Sequence, residues 1–345
     1  MSEQLFRLPV EDLKSISNHI KDLKTMFEGS EILLYGGTGF IGCWLTESLL
    51  HADLELHLGL KVTIVTRRIE SAKLRFSNYV NNKVTYIEHN FATSTLQMKI
   101  NSDFIFHGST PTSNATGFIS EKEILAASRN AALHAIQSNS IKFKNTKVIH
   151  LSSGIIYGNQ SMEMLARSES DYPIISASVY GQAKLEIDKI LNAAYMEGKI
   201  DFQSPRLFAF AGPNLQLNAH FAVGNFLLNG LKGEPINIRG NPKTIRSYMY
   251  PSDLVKCLLT VAVQSDYMNI NVGSPEPISM MQLAKLISEL TSNKEIILTN
   301  PTVASSNYVP SITNLQQIIS DTTFISLKDS ILKWIHWLKF KDSGY

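Results

Sequence analysis

Tyr180 and Lys184, in the run SVYGQAK, are the residues whose types and spacing point most directly to chemistry. On a helix, positions i and i+4 lie on the same face, so the ammonium group of Lys184 can lie near the phenol of Tyr180. A phenol titrates near pH ~10, and a neighbouring cation favours its phenolate. We therefore expect Lys184 to lower the pKa of Tyr180, which would make this phenol a proton donor or acceptor near neutral pH.

A glycine loop near the start of the chain supplies a second candidate site. Residues 31–35 (EILLY) are a short apolar run typical of a strand, and FIGCWLTESLL continues as an apolar-periodic helix. Glycines between them, spaced GxxGxxG, let a backbone approach a pyrophosphate, and the helix N-terminus offers unpaired N–H groups. The loop therefore predicts dinucleotide binding by Gly36, Gly39, Phe40, Ile41 and Gly42.

The elements that must position these residues alternate along the chain. Further strands are predicted at 61–68, 84–88, 103–107 and 146–153, with helical patterns at 121–138 and 179–198 between them. Short, nearly continuous apolar runs are typical of parallel strands that are covered on both faces. We predict an α/β fold: a Rossmann doubly wound parallel sheet with a smaller C-terminal α/β substrate lobe.

The domain boundaries follow from the change in texture along the chain. Residues 1–29 are predicted to be an N-terminal helical extension and residues 30–204 the NAD(P)-binding domain. From about residue 205 short runs are punctuated by Gly, Pro and Asn, so residues 205–345 are assigned mainly to the substrate lobe, with some elements returning to the first domain. The segment 51–60 (HADLELHLGL) is predicted to be a long connection after the first helix.

Composition excludes several classes of function. The 345-residue chain has a net charge of +2, a pI near 8.3 and no basic stripe, so no nucleic-acid partner is expected. We find no apolar run long enough to span a membrane and no secretory signal, which makes a cytoplasmic enzyme the default. Cys43 and Cys257 lie in apolar helical stretches and are expected to be buried free thiols. No metal site is predicted.

Four motifs in order, GGTGFIG, SSGIIYG, YGQAK and RSYMYPSDL, resemble the extended short-chain dehydrogenase/reductase family, in its nucleotide-sugar epimerase, dehydratase and ketoreductase branch. The resemblance covers about residues 31–290. It implies a Rossmann domain that holds NAD(H) or NADP(H) and a lobe that binds a nucleotide-diphosphate sugar.

The resemblance also implies the catalytic roles. Ser153 would hydrogen-bond the reacting sugar oxygen, Tyr180 would be the acid/base, and Lys184 would hold the nicotinamide ribose and tune Tyr180. The chemistry agrees, because hydride transfer to or from a carbinol carbon leaves charge on the oxygen, which a phenol and a hydroxyl can neutralise.

Further ligand contacts are implied by position within the motifs. Those to the cofactor are assigned to Asn90 and Phe91 after the third strand, to Gly108, Ser109 and Thr110 after the fourth, and to Asn130. Substrate contacts are assigned to Thr110, Ser153, Asn225 and Arg246, where the guanidinium of Arg246 would grip the diphosphate. His107, at the end of the fourth strand, is expected to be a core histidine.

Departures from the family pattern narrow the reaction. Dehydratases of this branch carry an Asp-Glu pair directly after the catalytic serine or threonine, whereas this chain has Gly154 and Ile155. A 4,6-dehydratase is therefore disfavoured. Ala209 replaces a sugar-contacting asparagine that many members have, which predicts an atypical sugar pocket.

The end of the second strand bears on cofactor choice. NAD enzymes usually present an acid there to the ribose 2′-OH, but this chain reads Thr66-Arg67-Arg68, and an arginine can accommodate a 2′-phosphate. We therefore favour NADP(H), with NAD(H) as the alternative. The leading hypothesis is reduction of a 4-keto nucleotide sugar for a surface polysaccharide; the alternatives are a 4-epimerase with bound NAD, and a cofactor-binding regulatory protein.

A homodimer is expected from the same resemblance, since helices 121–138 and 179–198 commonly pair across a two-fold axis in the family. Both are predicted to expose apolar residues beyond the face that a sheet covers. These are Ile124, Leu125, Leu133, Leu185, Ile187, Ile190 and Leu191.

Overall fold

The architecture comes from a computed structural model of the chain. It describes residues 7–79, 83–111, 120–138, 146–158, 160, 166–171, 173, 178–218, 221–264, 266, 268–292, 295–302, 304–319 and 323–342. The strands are β1 (Glu31–Tyr35), β2 (Lys61–Thr66), β3 (Lys83–Glu88), β4 (Phe104–His107), β5 (Lys147–His150), β6 (Ser152–Ser153), β7 (Asp201–Leu207), β8 (Ala209–Phe210), β9 (Ile236–Arg239), β10 (Ile245–Arg246), β11 (Tyr248–Met249), β12 (Asn269–Val272), β13 (Ile278–Ser279) and β14 (Ile296–Thr299).

The helices alternate with these strands. They are α1 (Val10–Asp22), α2 (Lys24–Phe27), α3 (Phe40–Leu56), α4 (Ile69–Arg75), α5 (Glu121–Gln137), α6 (Val179–Met196), α7 (Ala222–Lys232), α8 (Pro251–Gln264), α9 (Met280–Thr291), α10 (Thr313–Ile318) and α11 (Leu327–Asp342). Across the described residues, no helix combines the length and apolar character that crossing a membrane requires.

The central sheet is parallel and doubly wound. Its order is β12-β7-β5-β4-β1-β2-β3, with β6 beside β7. Alternate residues of β1 serve the two faces: Ile32 and Leu34 join the core under α1, α3 and α8, whereas Leu33 and Tyr35 join the core under α5 and α6. The order reverses between β1 and β4, where such folds bind ligands. The predicted Rossmann fold is therefore confirmed.

The first helix is longer than the sequence pattern predicted. Residues 51–56 continue α3, and the helix ends at His57, which has a left-handed φ of 53°. The prediction of a long connection at 51–60 was therefore wrong. Its physical reason is packing: Leu49, Leu50 and Ala52 are buried in the core that α3 shares with α1 and α8, and this burial extends the helix over residues that read as polar.

A smaller lobe follows the seventh strand. Three strand pairs, β8 with β11, β10 with β13 and β9 with β14, join α7, α9 and the first turns of α11 around a separate apolar core. Strand β7 runs to Leu207, and β12 returns to the central sheet together with α8. The lobe thus covers the carboxyl edge of the sheet. The chain leaves the lobe to form α8 and β12 in the Rossmann domain and then returns to it.

The N-terminal helix α1 packs on the outside of the Rossmann domain. Leu13, Ile16 and Ile20 are buried against α3 and α8. The buried carboxylate of Asp12 accepts hydrogen bonds from the Tyr250 hydroxyl at 2.6 Å and from Lys333 Nζ at 2.8 Å. This extension therefore ties the first helix to the last one.

The expected apolar dimer face is largely internal. Ile187 and Leu191 are buried in the core between α5, α6 and the sheet, and Ile124 is also buried, so the expectation that these three are exposed was wrong. Helices α5 and α6 pack on each other, which hides these positions. Of the seven residues only Leu133 is classed as exposed, and Leu125, Leu185 and Ile190 are half-buried.

Candidate active site

The glycine loop closes tightly at the start of α3. Gly36 has a φ of 76°, which favours glycine, and a Cβ on Gly42 would lie 2.0 Å from the Gly36 carbonyl oxygen. No side chain caps α3 at Gly39, so the first N–H groups of the helix, at Phe40 and Ile41, have no partner in the helix. An uncapped helix N-terminus beside glycine backbone fits a diphosphate.

Buried hydroxyl groups face the same region. A Cβ on Gly36 would lie 2.5 Å from the Gly108 carbonyl oxygen, so the loop and the end of β4 touch. The next two residues, Ser109 and Thr110, carry buried hydroxyl oxygens that have no hydrogen-bond partner among the described residues. Buried polar groups are nearly always paired, so these two fit the polar atoms of a bound ligand.

Two unpaired cations follow β2. The side chains of Arg67 and Arg68 are exposed, and neither makes an ion pair or hydrogen bond within the described part of the chain. The backbone N–H of Arg68 donates to the Thr66 hydroxyl at 3.3 Å, which shapes the turn. Two exposed guanidinium groups thus follow β2, and their assignment to the cofactor stays a prediction.

The loop after β3 is held by α5. Asn130 Nδ2 donates to the Phe91 carbonyl at 2.8 Å, and the Thr95 hydroxyl donates to Asn130 Oδ1 at 3.3 Å. Phe91 itself is buried in the core, whereas Asn90 is exposed. Asn130 therefore fixes the loop that carries Asn90 and Phe91, and the structure gives it no contact with Ser153 or Tyr180.

His134, on α5, is buried beneath that loop. It lies 2.5 Å from the Tyr35 hydroxyl through Nδ1 and 2.7 Å from the Met98 carbonyl through Nε2. Burial lowers the pKa of His134. The histidine thus holds the segment after β3 against the end of β1.

Tyr180 and Lys184 lie on one face of α6, as the spacing predicted. Lys184 Nζ lies 5.4 Å from the centre of the Tyr180 ring and donates to the Leu151 carbonyl at 2.5 Å. Burial lowers the pKa of Lys184 to about 7, with Asp188 acting in the opposite direction. The neighbour at i+4, Asp188, is held by the hydroxyls of Ser152 and Ser204.

The expected lowering of the Tyr180 pKa is not observed in the protein alone. Burial raises the pKa of Tyr180, and the nearby Tyr308 raises it further. The reason is desolvation, which disfavours the phenolate and outweighs a lysine whose own charge burial weakens. Tyr180 is therefore protonated at neutral pH, which suits a proton donor.

Ser153 meets a residue that sequence analysis did not identify. Its hydroxyl lies 3.2 Å from the hydroxyl of Tyr308 and accepts the Ile155 N–H at 3.3 Å. Tyr308 stands 155 residues further along the chain, outside every motif, so no local pattern marks it. The lobe and the Rossmann domain together thus bring Ser153, Tyr180 and Tyr308 into one site.

Arg246 lies on the lobe side of this group. Its guanidinium is 5.9 Å above the centre of the Tyr308 ring and donates to the carbonyls of Ile245 and Ser306 at 2.9 Å and 2.5 Å. Asn225, on α7, donates its amide to the Phe221 carbonyl one turn earlier at 3.1 Å. The substrate-binding roles of Arg246 and Asn225 stay predictions, since the contacts described here are all within the protein.

Two buried histidines lie below Lys184. His107 and His150, opposite each other in β4 and β5, have ring centres 5.1 Å apart. Their ring nitrogens have no hydrogen-bond partner among the described residues, although His150 Nε2 lies 3.9 Å from Asp188. Burial and then Lys184 lower the pKa of His107 to about 3. Both rings are therefore neutral under ordinary conditions, as expected of core histidines.

The glycine loop, the orphaned hydroxyls and the lysine together fit a nicotinamide dinucleotide. Gly36, Gly39 and Gly42 would admit its diphosphate, and Lys184 is near enough to Tyr180 to serve both the ribose and the phenol. When bound, the dinucleotide would supply or accept a hydride. The protein groups that would neutralise charge on the reacting oxygen are Ser153 and Tyr180.

Comparisons with known proteins agree with this geometry. The chain is 24% identical over 314 residues, 89% of its length and 72% of the relative's, to UDP-glucuronic acid decarboxylase 1 of Xenopus tropicalis. It resembles two solved structures that it matches over 90% or more of its length and 99% of theirs: UDP-N-acetylglucosamine 4-epimerase of Methanobrevibacter ruminantium in complex with UDP-N-acetylmuramic acid (TM-score 0.74, 22% identity) and UDP-glucuronic acid 4-epimerase of Bacillus cereus in complex with UDP-glucuronic acid and NAD (TM-score 0.71, 19% identity).

The family assignment rests on a longer match. The NAD dependent epimerase/dehydratase family matches residues 32–273, which span the glycine loop, the serine turn, α6 and Arg246. This span is more than half of the chain and includes each of the four motifs. The chain is therefore an enzyme of the NAD-dependent epimerase/dehydratase family, within the extended short-chain dehydrogenases/reductases.

Proposed function

We propose that this enzyme reduces the 4-keto group of a nucleotide-diphosphate sugar, most simply a 4-keto-6-deoxy sugar, with NADPH. The observation that carries the proposal is the pair of exposed guanidinium groups of Arg67 and Arg68 directly after β2, which have no partner among the described residues. The next acid along the chain, Glu70, pairs with Lys73. A 2′-phosphate is the part of NADP(H) that such groups recognise. A reductase consumes its nicotinamide cofactor at each turnover.

The chemistry needs one hydride and one proton. Tyr180 carries a proton at neutral pH, because burial raises its pKa, and would deliver that proton to the C4 oxygen. Ser153 would hydrogen-bond the same oxygen, and solvent would return a proton to Tyr180 afterwards. Lys184 would stabilise the phenolate that remains, so the negative charge left by the proton transfer would be neutralised within the site.

Elimination of water is poorly served by the same site. Gly154 and Ile155 stand where dehydratases carry two acids, and the ring of Phe208 fills the space beside Gly154. We therefore propose redox chemistry at C4 without dehydration. The sugar would arrive already oxidised at C4, made by a separate dehydratase.

A 4-epimerase with retained NAD is the second candidate. It is favoured by the family, whose description names NAD, and by the two solved epimerases, whose ligands are UDP-linked. Ser153, Tyr180 and Lys184 would serve it equally well, since epimerisation oxidises and then reduces the same carbon. The cofactor therefore discriminates between the two.

The test is the fate of the cofactor. Protein purified without added nucleotide is denatured, and released dinucleotide is identified by mass spectrometry. The same preparation is incubated with NADPH or NADH and with dTDP- or UDP-linked 4-keto-6-deoxyglucose, and separately with UDP-glucose. An empty site with stoichiometric NADPH oxidation supports the reductase. Bound NAD⁺ together with conversion of UDP-glucose to its 4-epimer would refute the reductase and support the epimerase.

We also propose a cytoplasmic homodimer that pairs α5 and α6 with their copies. The exposed parts of this face are Leu133 and the Arg129–Glu186 ion pair, which joins the two helices. The patch is smaller than the sequence pattern predicted, because Ile187 and Leu191 are internal.

A further inference from the structure

We propose that Tyr308 is the positioning residue of the catalytic serine: its hydroxyl directs the single proton of Ser153 toward the substrate oxygen. The inference rests on the proposed oxidoreductase function and deepens it. Its structural basis is the 3.2 Å distance between the two hydroxyl oxygens, of which that of Ser153 belongs to a buried residue.

The backbone around Tyr308 is pinned, so the contact does not depend on a free loop. The Tyr308 N–H donates to the Ile245 carbonyl at 2.9 Å, and the N–H groups on either side, of Asn307 and Val309, donate to the backbone and side-chain oxygens of Gln160 at 2.9 Å and 3.1 Å. The ring packs on Phe208 with centres 4.7 Å apart. These contacts hold the segment around Tyr308 in place, so its hydroxyl stays beside Ser153.

Proton counting gives this contact a direction. A serine hydroxyl has one proton to donate and two lone pairs to accept with. The Ile155 N–H already donates to Ser153 Oγ. If Tyr308 also donates, both lone pairs are filled, and the only remaining role of Ser153 is to donate its proton outward. The substrate oxygen is the acceptor that the proposed reaction provides.

Tyr308 has a second acceptor, which makes the arrangement switchable. Its hydroxyl lies 3.3 Å from the Leu207 carbonyl oxygen. While Tyr308 donates to Leu207, it can accept the proton of Ser153, which then does not face the substrate. As negative charge develops on the C4 oxygen, the chain from Tyr308 through Ser153 to that oxygen becomes the more stable one, because each hydrogen bond polarises the next. The change is a rotation of each hydroxyl, of Tyr308 and of Ser153, about its own C–O bond.

Tyr308 keeps its proton under working conditions. Burial raises the pKa of Tyr308 to about 12, while the Ser153 hydroxyl and Arg246 act in the opposite direction. The Arg246 guanidinium above the ring also links Tyr308 to the residue assigned to the diphosphate. The position of this hydroxyl is therefore supported from the Rossmann side and from the lobe side.

The experiment is a double-mutant cycle on hydride transfer. Single-turnover transfer is followed by nicotinamide fluorescence, with NADPH or NADH and dTDP- or UDP-linked 4-keto-6-deoxyglucose, and in the reverse direction with NAD⁺ and UDP-glucose. The variants are Tyr308→Phe in three backgrounds: wild type, Ser153→Thr, which keeps the hydroxyl, and Ser153→Ala, which removes it. Affinity for UDP and dTDP and the thermal unfolding midpoint are measured for each.

We expect Tyr308→Phe to slow hydride transfer by roughly 10-fold to 30-fold in the wild-type and Ser153→Thr backgrounds, and by about 2-fold or less in Ser153→Ala. Nucleotide affinity should stay within about 3-fold, because the phenylalanine ring keeps the contacts with Phe208 and Arg246. A purely structural role would lower the unfolding midpoint and slow all three backgrounds alike.

Two results would overturn the proposal. One is an unchanged rate in Tyr308→Phe; the other is an equal loss in the Ser153→Ala background. Both are distinct from failure of the proposed function, in which the wild-type enzyme transfers no hydride with any of these sugars.

Discussion

The ring of Phe208 fills the place that a side chain at position 154 would need. A Cβ built on Gly154 would lie 2.6 Å from Phe208 Cζ and 2.8 Å from its neighbours in the ring. Phe208 is itself held between Tyr308 and Tyr157. The packing of Phe208 therefore agrees with the absence of an acid at position 154, directly after the proposed catalytic Ser153.

Gly154→Ala should destabilise the protein by about 1–3 kcal/mol, because the added methyl group must displace a packed aromatic ring. Urea unfolding measures the change. In a Phe208→Leu background the cost of Gly154→Ala should fall, since the smaller side chain leaves room. Equal costs in both backgrounds would show that Phe208 does not set the size limit at position 154.

Tyr180→Phe should lower kcat by about 10²-fold or more while leaving cofactor affinity and the unfolding midpoint near those of the wild type. The variant removes the proton donor and keeps the ring beside Lys184. Tyr195→Phe is the matched control, because Tyr195 lies on the same helix, is exposed, and is distant from the site along α6. Near-normal turnover in Tyr180→Phe would refute the assignment.

Replacing Arg67 and Arg68 together with alanine should weaken NADPH binding by about 10-fold or more, the loss expected from removing a charged hydrogen-bond partner. NADH binding should change by less than about 3-fold. Lys14→Ala with Lys285→Ala removes two exposed cations on α1 and α9, away from the end of β2, and controls for net charge. Fluorescence titration gives the dissociation constants of both cofactors for the wild type, the double variant and the control, and equal effects on NADPH and NADH would contradict the assigned preference.

His107 should make the protein less stable as the pH falls. Its pKa is lowered from 6.5 to about 3 on folding, so between those values the unfolded chain binds a proton that the folded protein does not. The stability from keeping this ring neutral is present above pH 6.5 and is lost as the pH falls toward 3. One such group costs about 2 kcal/mol between pH 6.5 and 5.

The variant His107→Gln isolates this contribution, since glutamine does not titrate. Urea unfolding at pH 7.5, 6.5 and 5 should show that the free energy of unfolding falls more steeply with decreasing pH in the wild type than in the variant. The nearby groups His150, Asp188 and Lys184 titrate in both proteins, so the difference between them reports His107. Parallel curves for the two proteins would rule out His107 as the source.

Leu133→Glu should weaken the proposed homodimer, because it places a charge at an exposed apolar position of the α5 and α6 face. Leu74→Glu, at an exposed leucine on α4, is the matched control. Sedimentation equilibrium at micromolar concentration measures the association. A wild-type protein that sediments as a monomer of 38.5 kDa would refute the dimer.

The sequence alone determined the parts of this protein that are local. The glycine loop needs only a strand, three glycines and a helix start, and Tyr180 and Lys184 need only helical spacing; both could be read from neighbouring residues because their geometry is fixed within a few turns of chain. The parallel, doubly wound sheet followed from the alternation of strands with helices, although the order of its strands did not. Each of these predictions concerned backbone whose conformation is set by the residues next to it.

Tertiary structure decided what depends on distant residues. Tyr308 reaches Ser153 from 155 positions away, and Phe208 decides what position 154 can hold, yet neither lies in a motif. The same is true of electrostatics: the spacing of Tyr180 and Lys184 suggested a lowered phenol pKa, but burial by the rest of the fold raises it. Burial is a property of the whole packed chain, and for that reason Ile187 and Leu191, which read as a surface stripe, lie in the core.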